Sequence, residues 1–298
     1  MTFCALSSAK GMDIKMNNNA LEIHSLKKTF TDFGLDDISF SLPTGFIMGL
    51  VGKNGAGKTT TIKLILNLLQ KESGLIKVFG NDISNRYDFK QDIAVVFDDL
   101  LFVEDWKIDD VEKAISPFYD KWNTAKFQSN IERFHLNRNK KIRDFSKGMK
   151  LKLSLAVALS HQAKLLILDE PTSGLDPVAR DELLDILLEY IENENNSILL
   201  STHITSDLDK IADYLTIMNN GKIFYTGLKD ELFEKYCIAK GGIEDLTPDL
   251  EKRLIGIQKG NTGFSALLDV QDIKYTSNRI VTENATVDEI LIHIDKEV

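Results

Sequence analysis

The 298-residue sequence contains few cysteines and no long apolar run. Its two cysteines, Cys4 and Cys237, lie far apart in the chain. A disulfide framework or a thiolate metal site needs more cysteines at shorter spacing, so neither is predicted, and this content fits a protein of the reducing cytosol. A helix that spans a membrane needs about 18 consecutive apolar residues, and the sequence offers no such segment. Any membrane association is therefore expected to be peripheral.

Basic residues are fewer than acidic ones. The sequence has 36 Lys and Arg against 45 Asp and Glu, which gives a formal net charge of −9. Proteins that bind nucleic acid by neutralising its phosphates carry an excess of basic residues, so no nucleic acid partner is expected. The hydrophobic content of 43% is that of an ordinary globular protein, and the length allows one sizeable core with an appendage or two small domains.

The first 18 residues differ from the rest of the chain. They lack the basic-then-apolar order of a secretion signal, and they contain two internal methionines, Met12 and Met16. We expect residues 1–18 to form a flexible leader, with a later methionine as an alternative start of translation.

Strand patterns alternate with helix patterns over residues 19–236, which predicts an α/β fold with a mainly parallel core sheet. The Asn220-Gly221 pair between two strand-like runs predicts an antiparallel hairpin. From about residue 98 to 160 the patterns are helical, which predicts a helical subdomain. Residues 237–298 show two or three helix-like and two strand-like pieces and no chemical site, so we expect an accessory region that supports the main domain or its dimer.

The segment GKNGAGKT, residues 52–59, lies between a buried-strand pattern and a predicted helix from Lys58 to Leu69. Its glycines allow backbone N–H groups to turn inward around an anion, and the positive end of the helix points at the same place. Lys58 would contact the β- and γ-phosphates, and the Thr59 hydroxyl would bind Mg²⁺. The sequence therefore predicts a site for a nucleoside triphosphate and Mg²⁺. The nucleotide-binding residues predicted here are Gly52, Lys53, Asn54, Gly55, Ala56, Gly57, Lys58, Thr59 and Thr60.

Two adjacent acidic residues, Asp169 and Glu170, follow the apolar run LLIL. An isolated Asp-Glu pair is usually a solvated turn, but this pair ends a second predicted core strand downstream of a phosphate loop. We interpret Asp169 as a carboxylate for Mg²⁺ and Glu170 as the base that accepts a proton from the attacking water.

With these motifs the sequence resembles the nucleotide-binding subunit of an ABC transporter over roughly residues 20–236. The segment DFSKGM resembles the family's L-S-G-G-Q signature, with Ser146 and Gly148 at its serine and second glycine. His203 resembles the family's switch histidine, and Phe30 matches the aromatic residue that stacks on adenine. Read singly, Ser146 could simply cap a helix, His203 could be a surface residue and Phe30 a core residue.

The segment SGLD, residues 173–176, resembles the loop through which two such subunits communicate. The resemblance implies a phosphate-loop NTPase fold of the ABC type, with a mainly parallel core sheet, an antiparallel β subdomain, a helical signature subdomain and a small C-terminal α+β extension. It also implies an ATPase that requires ATP and Mg²⁺ and couples hydrolysis to transport.

The sequence departs from the family pattern at two places. Asp98 stands where the family has a glutamine, so a carboxylate would contact Mg²⁺. In the signature, Phe145, Lys147 and Met149 replace Leu, Gly and Gln, and Lys147 adds positive charge near the γ-phosphate. These substitutions resemble the ABC-2-type branch of exporter ATPases, which move antibiotics, bacteriocins or amphipathic peptides such as phenol-soluble modulins.

The resemblance also implies partners. Two subunits, identical or related, would enclose two ATP molecules, the phosphate loop of one facing the signature of the other. An integral-membrane permease subunit would place the chain in the cytoplasm, on the inner face of the membrane. Phe102, Trp106 and Tyr119 are candidates for the permease contact, with core packing as the alternative.

A soluble ATPase of the same type that acts on the ribosome or on nucleic acid is the competing hypothesis. The basic run at residues 138–143 would be its contact surface. In an acidic protein such a run is more often a solvated face or an approach to lipid headgroups.

Overall fold

The computed structural model describes residues 18–84, 86–98 and 102–296. The predicted leader lies outside the described residues except for Asn18. In chain order the strands are β1 (Asn19–Thr29), β2 (Gly34–Pro43), β3 (Ile47–Val51), β4 (Ser73–Val78), β5 (Asn81–Asp82), β6 (Ile93–Phe97), β7 (Leu165–Asp169), β8 (Ser197–Thr202), β9 (Tyr214–Asn219), β10 (Lys222–Leu228), β11 (Tyr236–Gly241), β12 (Ile255–Lys259), β13 (Phe264–Asp269) and β14 (Val281–Asn284). The helices are α1 (Lys58–Ile65), α2 (Ile108–Ile115), α3 (Thr124–Arg133), α4 (Lys147–Ala158), α5 (Pro177–Ile191), α6 (Thr205–Ile211), α7 (Lys229–Lys235), α8 (Pro248–Glu251) and α9 (Val287–Asp295).

The central sheet has the strand order β10-β9-β3-β8-β7-β6. The neighbours from β9 to β6 are parallel, and only β10 is antiparallel, joined to β9 by the predicted Asn220-Gly221 hairpin. Both hairpin residues have the positive φ, 46° and 72°, that a two-residue turn of this kind needs. The prediction of a mainly parallel α/β core is confirmed.

Strands β3 and β7 are buried throughout because both faces of the central sheet are covered. Successive residues point to opposite faces, so Leu166 and Leu168 pack with the helical region, whereas Leu165 and Ile167 pack towards α1 and a second sheet. That sheet is antiparallel, in the order β2-β1-β4-β5. Burial on both faces explains the continuous apolar runs that indicated these strands.

The helical region contains α2, α3 and α4 and packs on the edge of the central sheet that ends in β6. Phe127 is fully buried in the same core cluster as the sheet residues. Phe102 and Trp106 are half-buried against this core. Tyr119 is also half-buried, and its ring stacks on His161 with the centroids 3.9 Å apart. These contacts agree with the packing alternative, and a permease contact of these three residues stays a prediction.

The C-terminal region forms a third, antiparallel sheet in the order β12-β13-β11-β14. It has four strands where two were predicted, because β11 is largely buried and β14 is fully exposed, so neither alternates along its length. Helix α9 connects this sheet to the central one, since Ile290 and Ile294 belong to the same core cluster as Leu215 and Ile217 of β9.

Among the described helices, none combines the length and the apolar composition needed to cross a lipid bilayer.

Candidate active site

The phosphate-loop segment joins β3 to α1 and depends on its glycines for two different reasons. A Cβ on Gly52 would lie 2.5 Å from the carbonyl oxygen of Met218, so only glycine allows the loop to approach β9 this closely. Gly57 precedes α1 with a φ of 110°, a left-handed conformation that favours glycine. The loop is thus held against the end of β9 at the start of the helix.

Lys58 is 5% exposed and its side chain turns back into the loop. Its ammonium group donates to the carbonyl oxygens of Gly52 at 2.7 Å and Lys53 at 3.2 Å. It also lies 3.2 Å from Glu170 Oε1, an ion-pair distance without hydrogen-bond geometry. A buried ammonium needs such partners, and together they hold its charge inside the loop, where phosphates would bind.

Asp169 and Thr59 bring hard oxygen atoms to the same end of the sheet. The Thr59 hydroxyl donates to Asp169 Oδ2 at 2.8 Å, and Asp169 is 5% exposed. The other carboxylate oxygen, Oδ1, is buried and has no hydrogen-bond partner among the described residues. Carboxylate and hydroxyl oxygens are the ligands that Mg²⁺ prefers, and a buried oxygen without a donor suits a cation. The residues therefore fit the predicted metal.

Glu170 lies between Lys58 and His203. Its Oε2 accepts from the backbone N–H of His203 at 3.3 Å and is 2.6 Å from His203 Nδ1. Its φ is 52°, an uncommon conformation for a residue with a side chain, and such conformations are concentrated at functional sites. The contact follows from the topology, because the parallel strands β7 and β8 end at the same edge of the sheet.

The signature residues occupy the N-terminus of α4. The Ser146 hydroxyl caps the helix by accepting from the backbone N–H of Met149 at 3.2 Å. A Cβ on Gly148 would be in ordinary contact with Leu175 and Ala179. The positions of Ser146 and Gly148 are therefore set by α4 and its packing against the start of α5. The position of the phosphate loop is set by β3 and β9.

The two departures from the family pattern contact each other. The ammonium group of Lys147 forms an ion pair with Asp98 Oδ1, and both side chains are a little under half exposed. The Lys147 side chain also runs past Gly174, where an added Cβ would be 3.6 Å from its Nζ. This pair links the end of β6 to the start of α4.

The turn after Glu170 leads into α5. Gly174 has a φ of 69°, and Asp176 caps α5 by accepting from the backbone N–H groups of Ala179 and Val178, each at 3.0 Å. These N–H groups, Ala179 foremost, hold the pKa of Asp176 below its usual range because they stabilise the carboxylate.

Phe30 is 41% exposed and is therefore not a core residue. The Phe30 ring is stacked with the Phe33 ring, and their centroids are 6.4 Å apart. Phe33 in turn lies beside the loop, since a Cβ on Gly57 would be 3.0 Å from its Cζ. Phe33 thus separates the exposed Phe30 ring from the phosphate loop, and Phe30 is accessible to a ligand bound there.

Two contacts to the phosphate loop, and a third between β9 and α9 beside it, were missed in the sequence. The backbone N–H of Gly221 donates to the Ala56 carbonyl at 3.1 Å. Lys53 forms an ion pair with Asp295, at the end of α9. Asn219 Nδ2 donates to the Ile294 carbonyl at 2.8 Å. The hairpin was recognised from its turn residues, but nothing in the sequence indicated that α9 reaches the loop.

Comparison with known proteins identifies relatives over most of the chain. The sequence model of the family described as "ABC transporter" matches residues 35–173. The lantibiotic transport ATP-binding protein SrtF of Streptococcus pyogenes is 33% identical over 235 residues, which are 73% of this chain and 97% of that protein. The ABC transporter ATP-binding protein NatA of Bacillus subtilis is 30% identical over 208 residues, 66% of this chain and 83% of that protein.

Solved structures agree with these relatives. A structure described as the ATP binding subunit of an ABC transporter has a TM-score of 0.65 and 29% identity, and the match covers 72% of this chain and 91% of that one. The ADP conformation of an ATP-binding cassette of an ABC transporter has a TM-score of 0.62 at 23% identity, covers 72% and 92% of the two chains, and shows the shared fold alone. The chain therefore belongs to the ABC transporter family of ATP-binding proteins, which hydrolyse ATP to drive transport.

Proposed function

We propose that this chain powers an exporter by binding and hydrolysing ATP between two nucleotide-binding subunits. The observation that carries the proposal is the position of Glu170, which lies 3.2 Å from the ammonium group of Lys58 and 2.6 Å from His203 Nδ1. A carboxylate held between a phosphate-binding lysine and an imidazole has the surroundings of a base for water attack.

Each residue of the site has a defined task in this proposal. Lys58 and the backbone N–H groups of the loop bind the phosphates, and Phe30 packs on the adenine ring. Thr59 and Asp169 would hold Mg²⁺, which neutralises charge on the phosphates when it is bound. Glu170 takes the proton from the attacking water.

His203 orients Glu170 through its backbone N–H and its ring, and it stabilises the γ-phosphate during transfer. Asp98 is proposed as a further oxygen ligand at the metal, and engagement there would compete with its ion pair to Lys147.

The second subunit supplies the signature. Ser146 and Lys147 are exposed at the N-terminus of α4, and within the described chain Ser146 caps that helix while Lys147 contacts Asp98 and passes Gly174. We propose that Ser146 and Gly148 contact the nucleotide held by a facing chain, identical or related, in a pair with twofold symmetry.

The test of this arrangement is nucleotide-dependent pairing. We expect the Glu170→Gln variant to shift from monomer to dimer in sedimentation experiments when ATP and Mg²⁺ are added, because hydrolysis no longer removes the shared nucleotide. The same protein without nucleotide should remain monomeric. A protein that binds ATP but stays monomeric across the accessible concentration range contradicts the two-chain site.

The helical region is the proposed contact with the permease. Phe118 is 75% exposed and Val103 is 49% exposed, and Gln91 Nε2 fixes the backbone by donating to the Phe118 carbonyl at 2.9 Å. An exposed aromatic residue held on a rigid turn is typical of an interface. The chain would then lie in the cytoplasm on the inner face of the membrane.

We expect Phe118→Ala to reduce co-purification with the co-expressed membrane subunit while ATPase activity of the isolated chain is unchanged. Val281→Ala, at an exposed apolar residue in β14, is the control. If Phe118→Ala and Val281→Ala co-purified equally well with the membrane subunit, the permease contact would lie elsewhere on the chain.

The proposed cargo is an amphipathic peptide or a small antibiotic. SrtF is named for lantibiotic transport, and its match extends over nearly its whole length. The relatives described above are named as transport proteins and so do not favour the ribosome or nucleic acid hypothesis. Stimulation of the ATPase by RNA or ribosomes, without response to a membrane subunit, would favour it.

A further inference from the structure

A side chain from outside the recognised motifs reaches the phosphate loop. Asp295, the last residue of α9, forms an ion pair with Lys53, the second residue of the loop segment. The Lys53 carbonyl in turn accepts from the Lys58 ammonium at 3.2 Å. Lys53 therefore connects the C-terminal region to Lys58, the lysine proposed to bind phosphate.

The end of α9 is fixed to the structure beneath the loop by a second contact. Asn219 donates from its side-chain amide to the Ile294 carbonyl at 2.8 Å. Asn219 ends β9, next to Met218, whose carbonyl oxygen excludes any side chain at Gly52. The same strand end thus supports both the loop and the terminus of α9.

Helix α9 is also held by the C-terminal sheet. His293 is 3% exposed, and its Nδ1 donates to the Gly256 carbonyl at 2.7 Å. A Cβ on Gly256, whose φ is 60°, would be 1.7 Å from the His293 carbonyl oxygen, so β12 and α9 are in close contact. Asp295 is consequently carried by a helix that is fixed on two sides.

We propose that Asp295 is a positioning residue for nucleotide binding, which holds the Lys53 ammonium away from the phosphates and so lowers the affinity for ATP. The inference rests on the proposed nucleotide site and assigns a regulatory role to the C-terminal region. A displacement of α9 by a partner would release Lys53 and tighten nucleotide binding.

The expected change in ATP affinity follows from the solvent exposure of the Lys53–Asp295 ion pair. Lys53 is 56% and Asp295 is 31% exposed, so solvent screens their interaction. Exposed ion pairs typically change an equilibrium by about two- to five-fold. The Asp295 carboxylate lies beside the proposed site for ATP, a polyanion, so removal of this negative charge should strengthen ATP binding. A substitution that only damaged the structure would weaken ATP binding instead.

The test compares ATP affinity among variants by equilibrium titration. We expect Asp295→Asn to tighten ATP binding by about two- to five-fold at low ionic strength, and less in ~0.5 M salt. Asp288→Asn removes the same charge from the exposed first turn of α9 and should have no effect. In a Lys53→Met background, Asp295→Asn should change affinity much less, because the side chain that it holds is gone.

Three outcomes would overturn the inference: equal affinities for Asp295→Asn and Asp288→Asn, weaker binding by Asp295→Asn, or an undiminished effect in the Lys53→Met background. The Lys58→Ala variant distinguishes an error in the role of Asp295 from an error in the proposed nucleotide site. If Lys58→Ala loses ATP binding and Asp295→Asn is neutral, only the role of Asp295 is wrong. If Lys58→Ala binds ATP normally, the proposed nucleotide site is wrong.

Discussion

Replacing Glu170 with glutamine is expected to lower ATP turnover by about 10²- to 10⁴-fold while ATP binding is retained. The amide has nearly the shape of the carboxylate, so its oxygen can still accept from the His203 backbone N–H, but it cannot take a proton from water. Steady-state ATPase assays with an equilibrium measurement of ATP affinity would separate the two effects.

Glu192→Gln is the matched control for this variant, because Glu192 is an exposed residue at the end of α5. Turnover of the control should equal that of the unchanged protein. If Glu170→Gln retained turnover within a few-fold, another group would have to act as the base. His203 would then be the first candidate, since its ring is 2.6 Å from the Glu170 carboxylate.

Replacing Lys58 with alanine is expected to weaken ATP binding itself, by about 10- to 100-fold, the usual range for hydrogen bonds that involve a charged group. The ammonium group is buried and has oxygen partners in the loop and on Glu170. Its loss removes charge from the phosphate site and also leaves the Glu170 carboxylate without that cation. Fluorescent nucleotide titration would measure the change.

Lys63→Ala is the control for this experiment, because Lys63 lies on the same helix but is exposed. Circular dichroism should show both variants folded, since α1 keeps its buried apolar residues in either case. Unchanged ATP affinity in folded Lys58→Ala protein would refute the assignment of the loop.

Sequence patterns indicated those parts of the candidate site that are local or that follow from strand order. The phosphate loop is one continuous segment, and Glu170 and His203 meet because they follow neighbouring parallel strands. The length of α1 was overestimated: it ends at Ile65 and not at Leu69, since the chain turns through Asn67 with a φ of 54°.

Contacts between charged residues far apart in sequence could not be predicted. Lys53 and Asp295 meet only because α9 folds back across the end of β9, and Lys147 and Asp98 only because α4 packs beside β6. Local patterns specify the strands and helices, but such pairs depend on how the elements pack. For the same reason, the half-buried positions of Phe102 and Trp106 required the structure.

The ion pair between Asp98 and Lys147 has a consequence for hybrid proteins. Each residue introduces a charge where the family pattern described above has a neutral side chain, and the two charges cancel across the junction between sheet and helix. A chimaera that grafts a neutral signature onto this chain would leave Asp98 without its counterion, and the reverse graft would carry a solitary lysine into a host without the acid. These two segments should therefore be transplanted together.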